Sequence, residues 1–168
     1  MKRVAILIAA VLTVGLFVQA SLASSRGDDT VLKFETLAPV SGPFVGTSNP
    51  IRGVNGGGLP WQIAKGEGEL GADGSLEIDV EGLVLLNGAP VPPALRGTNP
   101  VPAFKAVVSC LTTVNGAATT SNVSTAAFPA TSTGDAEIKA NVALPRPCFA
   151  PIIFVTSPGG AWFAVTGR

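Results

Sequence analysis

A chain of 168 residues with eleven basic and eleven acidic side chains and no histidine is long enough for one well-formed core. The missing His removes the commonest metal ligand and the usual general base, and with it every Ser-His-Asp and Cys-His nucleophile system. Lys and Arg are nowhere clustered, so neither nucleic acid nor an anionic membrane surface is expected as a partner.

Lys2 and Arg3, the apolar stretch Val4 to Val18 and the small residues Ser21 and Ala23 predict an N-terminal signal peptide, residues 1–23. Cleavage after Ala23 fits best, with Ala20 as the second choice. The apolar run is shorter than the ~18 to 20 residues that span a bilayer, so no stable membrane insertion is expected after cleavage. Residues 24–168 then form a single secreted or extracytoplasmic domain with nine basic against eleven acidic side chains. Export permits oxidation, and Cys110 and Cys148 are predicted to form a disulfide.

Twenty Gly and fourteen Pro interrupt any helical period, while several stretches alternate with period two. In chain order, a strand is expected at Val31 to Leu37, then a Pro- and Gly-rich connection, Ala38 to Pro60. Next comes a hairpin, Ala64 to Leu85. Matching its apolar faces requires an odd loop, Ala72-Asp73-Gly74 with Gly74 left-handed, which sets Glu69 opposite Glu77, Glu67 opposite Asp79 and Lys65 opposite Glu81. A second connection, Asn87 to Ala103, leads to a strand at Phe104 to Thr112 with Phe104, Ala106, Val108 and Cys110 inward and Lys105 and Ser109 on a polar face. Asn115-Gly116 marks a further turn. The Ser/Thr-rich stretch Thr112 to Thr133 reads as exposed strand faces or as a flexible or glycosylated tract, with a weaker strand near Asn122 to Phe128 and an N-glycosylation pattern at Asn122-Val123-Ser124. Ala136 to Leu144 alternates as a half-buried strand. Pro151 to Thr156 and Ala161 to Thr166 flank Ser157-Pro158-Gly159-Gly160, which has type II turn chemistry with Gly159 at the left-handed position. Seven to nine short strands of this kind make an all-β, antiparallel β-sandwich, with a barrel as the alternative.

Gly66-Glu67-Gly68-Glu69-Leu70-Gly71 matches the dinucleotide expression G-x-G-x-x-G, but a strand follows where a helix is required and two carboxylates would repel the phosphates. The same hairpin stacks acid against acid across two strands, which destabilises a sheet and invites a calcium ion on Glu67, Glu69, Glu77 and Asp79. Against this stands a plain solvated face, since calcium loops converge on one ion and a flat row does not. No other cofactor is expected. Paired carboxylates about 5 Å apart could also serve glycoside hydrolysis, the one hydrolytic chemistry that needs neither His nor Cys.

Asn55-Gly56-Gly57-Gly58-Leu59-Pro60-Trp61 is the most distinctive string. Gly56, Gly57 and Gly58 would let the chain present Trp61 as a stacking platform for sugar. The competing role is an anchor in the core, with room left for the indole over Gly66 and Gly68. Trp162 reads as core. This string, with Phe104 to Cys110 and Trp162-Phe163-Ala164-Val165-Thr166-Gly167, resembles a group of uncharacterised secreted bacterial proteins. The resemblance implies export and an all-β fold and carries no activity.

The sequence therefore predicts a secreted, non-enzymatic module that binds a cell-surface protein or polysaccharide, with Trp61 and the glycine loop as the first place to look. The alternatives are a carboxylate-dependent glycoside hydrolase and a structural envelope or matrix component.

Overall fold

The structure, a computed structural model, describes residues 29–166; the predicted signal peptide and its cleavage site lie outside the described residues. Its twelve strands run β1 (Thr30–Phe34), β2 (Leu37–Pro39), β3 (Trp61–Gln62), β4 (Lys65–Gly71), β5 (Ser75–Glu81), β6 (Val84–Leu85), β7 (Ala103–Val114), β8 (Ala117–Ser124), β9 (Phe128–Pro129), β10 (Ala136–Asn141), β11 (Phe149–Thr156) and β12 (Trp162–Thr166). They form a four-stranded sheet, β1-β4-β5-β10, and a larger sheet, β2-β12-β11-β7-β8, to which β9 adds beside β7. The short pair β3-β6 stands apart. All strand pairs are antiparallel and no sheet closes, so the chain is a β-sandwich and not a barrel.

The core fills from alternating strand positions. Leu70, Leu76, Ile78, Val80 and Ile138 of the smaller sheet are buried, as are Phe104, Ala106, Val108, Cys110, Ile153, Val155 and Ala164 of the larger one. Each Leu, Ile, Val or Phe so buried contributes about 1.5–3 kcal/mol of transfer free energy, which offsets the entropy of ordering the chain. Cys110 is bonded to Cys148 with Cα atoms 5.0 Å apart, tying β7 to the entry of β11.

The β4-β5 hairpin has the expected register, with Lys65 opposite Glu81, Glu67 opposite Asp79 and Glu69 opposite Glu77. Gly74 takes φ +89°. A side chain there would also strike the carbonyl oxygen of Val142, so glycine is required twice over. The Asp73 carboxylate accepts from the Ser75 backbone N–H at 2.9 Å and from its hydroxyl at 2.6 Å, closing the loop.

The Ser/Thr-rich tract is an exposed strand after the expected Asn115-Gly116 turn (φ +51° and +78°), with other bounds than expected: β7 runs through Val114 and β8 spans Ala117–Ser124 instead of Asn122 to Phe128. Three expectations are corrected. In the last hairpin it is Gly160 (φ +92°), not Gly159, that turns left-handed, because Ser157 accepts from the Gly160 N–H and the extra residue lets Ser157 donate to Ala161. The space over Gly66 and Gly68 is taken by Leu37 and Phe34, not by an indole. Finally, Ser109 is fully buried.

The burial of Ser109 has a specific cause. The connection after β2 folds back over the outer face of the larger sheet, where Arg52 (φ +47°) donates from its guanidinium to the Ser109 carbonyl at 2.8 Å and accepts from the Asn122 side chain at 3.0 Å. Val54 of this connection is buried, as are Val107, Phe154 and Trp162 of the sheet. Trp162 packs between Phe154 and Phe44, with ring centroids 6.0 and 6.4 Å away. Around the centre of β7, β11 and β12 the larger sheet is thus covered on both faces, while β8 and the end of β7 stay exposed.

Candidate functional site

Trp61 is 4% exposed and stacks on Phe163 with centroids 3.9 Å apart and planes 19° from parallel, while the edge of Phe104 meets it at 6.4 Å. It is a core anchor, and its face is not accessible to a sugar. The glycines ahead of it are held in place. Gly57 donates to the Trp162 carbonyl at 2.8 Å, Trp162 donates to Asn55 at 2.9 Å, and Gly56 and Gly57 exchange bonds with Gly46 at 3.0 and 2.8 Å.

That pairing explains the residue type at two of the three positions. A side chain on Gly56 would overlap the carbonyl oxygen of Phe44, and one on Gly57 would press on the Phe163 ring at 3.0 Å, whereas Gly58 faces open space. Gly56→Ala is therefore expected to cost about 2 kcal/mol or more, because a backbone oxygen cannot step aside as a side-chain tip can, while Gly58→Ala leaves stability unchanged. Urea unfolding of both variants checks this. Equal stability of Gly56→Ala and the parent would mean the loop is free, as a ligand-binding loop could be.

With the aromatic platform gone, the outer face of the four-stranded sheet is the remaining chemically distinctive surface. Period-two alternation places Glu67, Glu69, Glu77, Asp79 and Glu81 on it, and β10 adds Glu137 opposite Asp79 and Lys139 opposite Glu77. The Lys65 ammonium reaches Glu67 at 2.7 Å, and Lys139 bridges Glu77 at 2.7 Å and Glu137 at 2.6 Å. The hydrogen bond that Lys65 donates to Glu67 and the negative charge of that carboxylate raise the Lys65 pKa above its ordinary value, and Glu137 and Glu77 do the same for Lys139. Lys33 stands opposite Glu69 in register. Glu69, Asp79 and Glu81 make no ion pair among the described residues.

Asp135, which sequence reasoning passed over, borders this face beside Glu67, Asp79, Glu81 and Glu137. The Thr133 hydroxyl donates to its carboxylate at 2.7 Å and the Gly82 backbone N–H at 2.9 Å. These bonds hold its pKa below the usual carboxylate value and fasten the start of β10 to the end of β5. Its only sequence signal was the Thr-Ser-Thr-Gly-Asp turn, which lies outside every alternating pattern.

The four residues proposed for calcium share one face, but among the described residues no three acidic side chains converge as a metal site requires. Two of the four, Glu67 and Glu77, are already engaged by lysines. Compared with protein-family models, with curated proteins and with solved structures, the chain finds no match.

Proposed function

We propose that the chain is an exported, non-enzymatic β-sandwich module that binds a cell-surface protein through the outer face of its four-stranded sheet. The observation that carries the reading is the imbalance of that face. Lys65 and Lys139 are committed to Glu67, Glu77 and Glu137, while Glu69, Asp79 and Glu81 project from a rigid sheet without a cation within ion-pair distance among the described residues. Carboxylates spaced by strand geometry suit a partner that brings Lys or Arg side chains, and complementary charge steers and orients such an encounter. Polysaccharide is the weaker choice, since the buried Trp61 offers it no ring.

The test is binding of the purified mature protein to washed producing cells. Binding is expected to weaken steeply as salt rises from about 50 to about 500 mM, over which the screening length shrinks severalfold. Asp79→Asn with Glu81→Gln should weaken it a further three- to tenfold, on the order of one lost exposed ion pair per site. The melting temperature should hold or rise by about 1 °C, because Asp79 sits between Glu67 and Glu137 in register and like charges opposite one another destabilise a sheet. Binding indifferent to salt and to both substitutions overturns the proposal. Turnover of a glycan that vanished in Asp79→Asn with the fold intact would replace it by the hydrolase, and a melting temperature raised by calcium would replace it by the cation site.

A further inference from the structure

The four strands that end the two main sheets are not alike. β1 carries a bulge between Thr30 and Leu32 and a Lys33, β2 is three residues long and ends in Pro39, and β10 bears Glu137 and Lys139. Each is a recognised means of stopping one sheet from adding to another. β8 has none of them. It runs for eight residues, Ala-Ala-Thr-Thr-Ser-Asn-Val-Ser, without charge, proline or bulge, and most of its residues are exposed.

The hairpin fixes which of its backbone groups are free. A two-residue turn makes Val114 and Ala117 a hydrogen-bonded pair, and pairs in an antiparallel ladder alternate. The odd-numbered residues of β8 therefore bond to β7, in agreement with the bond that continues the ladder from Thr125 to the Ala106 carbonyl at 3.0 Å. The N–H and C=O groups of Ala118, Thr120, Asn122 and Ser124 point away from the sheet.

We propose that β8 pairs antiparallel with β8 of a second copy of this chain, joining two larger sheets across a two-fold axis. The absence of charge is what selects a second copy over a different partner. In a symmetric pair every side chain meets residues of the same strand, so any charge would face its own sign nearby; a strand built only of Ala, Thr, Ser, Asn and Val meets itself without repulsion. The surface lies on the other sheet from the acidic face, so this contact and the proposed binding face do not compete.

The experiment is sedimentation of the mature protein from about 1 to about 300 µM, with hydrogen exchange of the same samples. A concentration-dependent dimer is expected, with the Ala118, Thr120 and Asn122 amides protected in the dimer and exchanging freely in the monomer. Thr120→Pro removes an outward N–H and no bond to β7, and should weaken association at least tenfold with the fold retained. Thr120→Lys sets like charges close together across the axis and should do the same, and it decides the matter if the proline variant does not fold. A monomer across the whole range overturns the proposal. So does a dimer that neither variant weakens, or one in which the three amides stay unprotected.

Discussion

Replacing Cys110 and Cys148 together by alanine is expected to lower the unfolding free energy by about 4 kcal/mol, which for a chain of this size is about 10 °C in melting temperature. The size of the effect follows from the sequence separation of 38 between the two cysteines, whose closure into a loop removes conformations from the unfolded chain. The structure adds a local reason. Phe149, paired with Leu111, opens β11 immediately after the bridge, and the β7-β11 register shifts between Phe149 and Ile152. Without the bridge this stretch has only an irregular ladder to hold it. Thermal unfolding of the double variant against the oxidised parent provides the check, and a difference under about 3 °C would mean that the bridge constrains little that the sheet does not already fix.

Trp61→Ala should cost about 3–5 kcal/mol, the range for deleting a large aromatic ring from a packed core. The indole is stacked on Phe163, edged by Phe104 and sits against Gly57, so its removal leaves a void among packed rings and backbone. Denaturant unfolding with near-ultraviolet circular dichroism measures both the loss of stability and the loss of aromatic packing. A platform for ligand would behave in the opposite way, keeping stability and losing binding. Stability within about 1 kcal/mol of the parent would return Trp61 to the surface.

Where the physics is local and periodic, the sequence was readable. The hairpin at Ala72-Asp73-Gly74, its register to the residue, the inward phase of Cys110 and the burial of Ile78, Val80 and Ile138 all follow from alternation plus one left-handed glycine. The disulfide followed from two cysteines in a chain read as exported. What was not readable depends on contacts distant in sequence. Ser109 reads as a solvent-facing position until Arg52 is known to lie over it. Gly56 and Gly57 look like flexibility, yet they are small because Phe44 and Phe163 come close, and neither approach leaves a local trace. The acidic row was visible as a row, but its partial neutralisation by Lys139 required knowing that β10 pairs with β5.

Two similar strings, Ile51-Arg52-Gly53-Val54 and Leu95-Arg96-Gly97-Thr98, occupy different surroundings. Both close a turn, with the fourth residue donating to the first at 2.9 and 3.2 Å. Arg52 is left-handed and Arg96 is not, and their guanidinium groups reach Ser109 and Val91 in different parts of the fold.

The glycine segment clamped against Trp162 also sets an order of events. Gly57 and Val40 donate to the carbonyls of Trp162 and Phe163, residues more than a hundred positions later. A chain that emerges from the ribosome amino end first holds Val40 to Gly57 without this partner until Trp162 and Phe163 are out. Closure of this segment therefore waits for β12, and the outer aromatic layer of Phe44, Phe154 and Trp162 assembles only once that strand is available. A molecule cut short before β12 would lose that strand and, with it, the anchorage of a loop more than a hundred residues earlier in the sequence.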